Sequence, residues 1–263
     1  FALMTYGATL RTADTANDPL TDDPALTTKH IKRLMKEAGV EGKDVIASLP
    51  VHSVFSSIIA IPKVKEESDI RALVERQAAK LMPFPLEDMV IDYQVLDEKG
   101  FKKSDDKQPQ EEGAVPVVSA SRTTGADENV RVLITGAQRK MVKAYTQIFQ
   151  DAGLDLTSLE TEPFALIRSL VGDDRSPIMI LDVGAYRTNM TIVDEGVPFI
   201  NRSIKVGGAM VTRQIAKQMS VSVEEAEQMK YDLRANGGET PRAVQDLFQP
   251  IVNEIAYAMQ VYM

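Results

Sequence analysis

The sequence has no cysteine and only two histidines. The missing thiol excludes disulfides, cysteine nucleophiles and cysteine–zinc sites. Two histidines build neither a histidine metal cluster nor a His-based triad. His30 falls on a helical pattern and His52 follows a strand-like run, so both read as surface or satisfied histidines. No window approaches the ~18–20 continuous apolar residues that a membrane helix requires. Positive charge is also short: 30 Lys and Arg stand against 38 Asp and Glu, a net charge of −8. A general nucleic-acid binder needs a basic face, and this balance argues against one. The opening FALMTYGATL holds no basic residue, so it does not read as a secretion signal. It begins with Phe, and the last helical pattern is still running at Met263. The expectation is truncation at both ends.

What is present suits a globular chain. Its 263 residues, 44% hydrophobic and 26% charged, fit one large domain or two ordinary ones with a sizeable core. Asp23-Pro24 reads as an N-cap followed by proline at the first helical position, and Gly39 as the stop of that helix. Asp44–Pro50 and Ser53–Pro62 read as strands. Glu66–Leu81 reads as an amphipathic helix that ends at the Pro83–Pro85 segment PFP. Met89–Leu96 returns to strand. Lys99–Asn129 is polar and reads as a long hairpin loop. A strand (Val130–Gly136), a helix (Gln138–Ala152), a strand (Leu154–Leu159) and a short helix (Glu162–Val171) follow. After Pro177, two strands flank a polar loop and a Glu195-Gly196 turn leads to a third. Gly207-Gly208 open a helix. Ser222 and Glu225 have capping-box spacing for the next, and Thr240-Pro241 open the last. The alternation predicts an α/β architecture.

The stretch IMILDVGAYRTNMTIVDEGVPFI, Ile178 to Ile200, carries the chemistry. A buried strand ends in Asp182 and Gly184, and a Thr-rich strand follows the loop. Glycine lets a ligand approach the backbone. An aspartate there can hold magnesium, usually through water, and Thr188 can reach phosphate oxygens. An ordinary turn, capped by Asp182 and eased by Gly184, accounts for the same residues. Gly207-Gly208 place a helix N-terminus where an anion could sit. Glu227 and Lys230, at i and i+3, share a helix face that could grip ribose hydroxyls or an adenine edge; a solvated salt bridge is the alternative.

The order LDVGAYRT, VGGAMVTRQIA, SVEEAEQMK resembles the second half of the actin-like ATPase superfamily. Two further segments, LVERQAAKLMPFPLEDMVIDYQVL and FQDAGLDLTSLETEPFALIRSL, resemble the PilM family of type IV pilus assembly proteins, related to FtsA. The resemblance runs from about Asp23 onward. It implies an actin-like two-lobed fold with an inserted β/α subdomain. Residues 1–50, with 161–175, would form the first-lobe core. Residues 51–160 would be the insert, and 176–263 the second lobe. It implies ATP and Mg2+ as cofactors. Asp182, Gly184 and Thr188 would meet phosphate and metal, with Asp182 as the metal ligand. Gly207 and Gly208 would form the nucleotide floor, and Glu227 and Lys230 would meet the adenosine. Glu162, in the E-P position, would orient a catalytic water. It implies a cytoplasmic scaffold under the inner membrane whose partner is the N-terminal tail of the membrane protein PilN, with other pilus platform proteins and motor ATPases as further candidate partners. Apolar residues of LMPFPLEDM, above all Phe84, would line the tail's groove; a place in the subdomain core is the alternative for each of them.

The superfamily's first phosphate loop and its second, Gly-rich adenosine motif are missing from this sequence, and FALMTYG reads as a later strand of the first-lobe sheet. Tyr186 and Arg187 are bulkier than that loop's usual residues. An FtsA-like filament protein and a sugar kinase of the same fold are the competing readings. The kinase would need an intact first phosphate loop, and the filament protein an amphipathic membrane-binding helix.

Overall fold

The computed structural model describes residues 4–9, 20–64, 66–81, 84–97, 100–101, 129–235 and 242–263. Most of the polar stretch Lys99–Asn129, and the Thr240-Pro241 helix start, lie outside them. The chain divides into two compact units, Phe1–Ala165 and Leu166–Met263.

In the first unit, helix α1 (Pro24–Glu37) starts as its sequence dictates. The Asp23 carboxylate accepts from the Leu26 amide at 2.9 Å, and proline fills the first turn. Strands β1 (Asp44–Leu49) and β6 (Asp155–Thr161) lie parallel. Strands β2 (Val54–Pro62), β3 (Met89–Asp97), β4 (Gly100–Phe101) and β5 (Asn129–Gln138) form a four-stranded sheet in the order β2-β5-β3-β4. Thus Ser53–Pro62 pairs with β5, not with Ile178–Asp182. Helix α2 (Glu67–Leu81) buries Val74 and Ala78 against Ile61, Val132 and Ile134 of this sheet. Helix α3 (Arg139–Ala152) ends at Gly153, whose φ of 79° is the left-handed cap that glycine favours. Its Tyr145 packs with Leu49 and Ala137, so one core joins both sheets.

In the second unit, β7 (Ile178–Val183), β8 (Thr188–Asp194) and β9 (Val197–Ile204) form an antiparallel sheet. One face packs Met190, Ile192 and Ile200 against Ala258 of α8 (Gln249–Tyr262). The other packs Ile180 and Val193 against Ile167. Helices α5 (Gly208–Met219) and α6 (Val223–Ala235) share a core through Val211, Ile215 and Ala226. The expected capping box closes α6: Ser222 and Glu225 exchange side-chain-to-amide bonds of 2.9 and 3.2 Å.

Three expectations are corrected. Residues 4–9 form no strand. The Thr5 hydroxyl donates to the Ala38 carbonyl and Gly7 rests beside Leu34, so this backbone joins no ladder. The short helix becomes α4 (Glu162–Leu166) followed by a π-helical turn (Ile167–Val171), closed by Gly172 N–H to the Ile167 carbonyl at 2.9 Å. The last helix is broken into α7 (Arg242–Gln245), a 3-10 turn (Asp246–Phe248) and α8. Pro250 lacks the amide that an unbroken helix would need there, and its ring would crowd the carbonyl four residues back.

Candidate functional site

The residues expected to meet nucleotide gather at one end of the β7-β8-β9 sheet. Asp182 is exposed near the end of β7. The loop after it closes on itself, with the Gly184 amide donating to the Arg187 carbonyl at 2.9 Å. The start of α5 then docks on this loop. The Gly208 amide donates to Gly184 O at 3.0 Å and the Ala209 amide to Ala185 O at 2.7 Å. A Cβ on Gly207 would stand 2.6 Å from both carbonyl oxygens, so only glycine permits the approach. Two amides expected to face an anion are therefore spent on loop carbonyls.

Thr188 is fully buried, and its hydroxyl donates to the Val206 carbonyl at 2.8 Å. It anchors the segment entering α5 instead of facing a phosphate. Strand alternation explains the difference, since Thr188 falls on the face that packs α8 and Asp182 on the other.

Glu227 and Lys230 meet as expected, Nζ to Oε2 at 2.6 Å. Thr212 of α5 completes the cluster: its hydroxyl donates to the Glu227 carboxylate and accepts from Lys230 at 3.0 Å. Lys230 Nζ also lies 3.5 Å from the Gly208 carbonyl. The cluster ties α6 to the first turn of α5. Burial works to raise the Glu227 pKa, but the hydrogen bonds from Lys230 and Thr212, with the lysine charge, outweigh it and hold the carboxyl below its ordinary value.

A polar row completes the site. Asp182, Asn189 and Ser203 are direct cross-strand partners on β7, β8 and β9. The Ser203 hydroxyl donates to Asn189 Oδ1 at 2.8 Å, Asn189 Nδ2 faces Asp182 Oδ2 at 3.5 Å, and Arg187 Nη1 faces Ser203 Oγ at 3.5 Å. Sequence reasoning overlooked Asn189 and Ser203. Among the described residues no group of three or more His, Asp or Glu side chains could cage a metal.

Two predicted residues lie in the first unit. Glu162 accepts from the Val51 amide at 3.0 Å, bridging the chain just past β1 to the end of β6. The resemblance implied a water-orienting role for this carboxylate; the structure shows it in a structural hydrogen bond. Burial, and then the Glu162 charge, push the Tyr145 phenol up. Phe84 is 47% exposed, so it is not core. It lines a groove of about 390 Å³ with Asp88, Gln138, Arg139, Lys140 and Lys143. Arg139 fixes the groove's wall by donating to the Glu87 and Met89 carbonyls at 2.8 and 3.0 Å. The basic residues were visible as QRKMVK at the start of α3, but only the fold brings them beside Phe84.

Comparison with known proteins gives a family and a fold. A family model described as type IV pilus assembly protein PilM matches residues 8–123 and 115–263. The cell division protein FtsA of Bacillus subtilis (strain 168) is 23% identical over 184 residues, which is 68% of this chain and 39% of FtsA. The solved PilM-PilN type IV pilus biogenesis complex matches with a TM-score of 0.59 at 24% identity, over 90% of this chain and 62% of that one. The chain therefore spans less than two thirds of the length of either relative.

Proposed function

Because the chain belongs to the type IV pilus assembly protein PilM family and carries an actin-like ATPase fold, we propose that it is a nucleotide-binding scaffold of the pilus assembly platform. It holds the N-terminal tail of a PilN-like membrane protein and is drawn to the inner membrane's cytoplasmic side through that partner. No helix among the described residues is long and apolar enough to cross a membrane. In this reading residues 51–160 are the inserted subdomain, and the tail lies along its border with the first-lobe core.

The observation that carries the reading is the Phe84 groove. A half-exposed aromatic on a pinned wall is the kind of anchor on which peptide affinity concentrates. Lys140 and Lys143 rim it, and among the described residues neither has an ion-pair partner.

The second unit supplies the nucleotide site. Asp182 would hold the hydrated Mg2+ that accompanies ATP, a cation that offsets phosphate charge when bound. Gly208 leaves space beside Lys230, where the Glu227–Lys230–Thr212 cluster could meet ribose or adenine polar atoms. Thr188, expected to meet phosphate, and Glu162, expected to orient the attacking water, are hydrogen-bonded to backbone groups, which favours binding over turnover.

Two measurements test the proposal. Phe84→Ala should cost about 2 kcal/mol or more of affinity for a PilN-like tail peptide by fluorescence anisotropy. It should cost under about 1 kcal/mol of stability in urea, because the ring is already half in water. Unchanged affinity removes Phe84 from the interface. Asp182→Ala should cost about 1–3 kcal/mol of Mg-ATP affinity by calorimetry, the scale of a charged bond left unmade. Equal affinity for wild type and variant returns Asp182 to a turn-capping role.

A further inference from the structure

We propose that Asn189 and Ser203 are positioning residues for Asp182, forming with Arg187 a directed hydrogen-bond chain that fixes the carboxylate toward a hydrated cation. The inference rests on the nucleotide part of the reading above.

The chain spans three strands. Arg187 can only donate, and its Nη1 faces a lone pair of Ser203 Oγ at 3.5 Å. That leaves the Ser203 proton for Asn189 Oδ1, at 2.8 Å. With its oxygen so engaged, the Asn189 amide presents Nδ2 to Asp182 Oδ2 at 3.5 Å. The opposite amide orientation would set oxygen against carboxylate, acceptor against acceptor, so only one orientation satisfies both neighbours. The Asp182 side chain is held through Oδ2, and Oδ1 stays available at the exposed end of the sheet.

A backbone irregularity makes the row possible. The Glu195-Gly196 turn pairs Asp194 with Val197 and Val193 with Pro198, but Ile192 pairs with Ile200. Phe199 is the extra residue of a bulge, a device that often re-aims side chains beside functional sites. Without it the turn's register would put Arg202 across from Asn189. With it, Ser203 stands there and Arg202 turns to Glu254 at 2.8 Å.

The test separates metal-dependent from metal-independent binding. Calorimetry measures ADP affinity with Mg2+ and with EDTA for wild type, Asp182→Ala, Asn189→Leu, Ser203→Ala and Ser203→Thr. The ratio of the two affinities should fall about threefold to tenfold in Asn189→Leu and less in Ser203→Ala, the range of one or two polar contacts. Ser203→Thr, which keeps the hydroxyl, should restore it. Metal-free affinity should stay within about twofold of wild type in all of them. Equal loss in both conditions, or loss in neither, overturns the proposal. If the wild type binds no ADP, the nucleotide reading itself fails. Titration with Mn2+ alone then decides the positioning role. Paramagnetic broadening of the Asn189 side-chain amide that disappears in Asp182→Ala supports it, and no broadening overturns it. Asn189→Gln serves in place of Asn189→Leu if the apolar variant does not fold, and should lower the ratio likewise.

Discussion

At the scale of single residues, the clearest physical statement concerns Glu227. Its carboxylate is held below its ordinary pKa by Lys230 and Thr212 despite partial burial. A depressed folded pKa means stability that is present above the unfolded value and lost as pH falls through the folded one. The pair is part-exposed, so its worth is screened and small. Glu227→Gln should therefore lower the urea midpoint at pH 7, and the gap to wild type should shrink progressively below about pH 4.3, the ordinary glutamate value. A gap that stays constant to pH 3 would show that packing, not charge, carries the effect. Thr188 makes the complementary point. Its side chain has the chemistry for a phosphate, yet the pleat places it fully inside, where its hydroxyl is consumed by Val206.

At the scale of elements, local chemistry was readable. Asp23-Pro24, the Ser222…Glu225 box and Gly153 each declare a helix end through a side chain or a φ preference that acts within a few residues. The Glu195-Gly196 turn was readable for the same reason. Its φ angles of 53° and 78° are the paired left-handed geometry of a tight hairpin. Glycine suits the second position, and a β-carbon on Gly196 would meet Arg175 Nη1 at 2.8 Å. Gly196→Ala should cost about 1–2 kcal/mol in urea unfolding. Glu195→Asn should gain a few tenths to about 0.5 kcal/mol, since asparagine tolerates that φ better. The order of motifs also pointed to the fold, and in the structure Asp182, Gly184, Gly207, Gly208, Glu227 and Lys230 lie at one sheet end. Register did not come with them. Asn189 meets Ser203 only because Phe199 bulges, and no periodicity in β9 announces a one-residue slip. The docking of α5 was hidden likewise, because it joins carbonyls of residues 184 and 185 to amides over 20 positions away.

At the scale of the whole molecule, charge is unevenly spread. The chain carries −8, yet among the described residues the Phe84 groove is lined by Arg139, Lys140 and Lys143 against one carboxylate, Asp88. A rim of this sign steers an acidic segment and repels a basic one. A tail peptide with a carboxylate beside its apolar anchor should bind about two- to fivefold more tightly than its amide counterpart, the worth of an exposed ion pair. The advantage should fade as salt rises from 50 to 500 mM and vanish in the Lys140→Ala, Lys143→Ala double variant. An equal preference at all salts would exclude the two lysines. The docking of α5 onto its loop carries a different consequence. Gly184 O and Ala185 O occupy the amides that a phosphate would seek, so the protein contains its own competitor for that position. A nucleotide that used those amides would have to wait for the two bonds to open. Its arrival rate would then level off as its concentration rose, and the time for which the site holds a nucleotide would be set by the backbone as much as by the nucleotide.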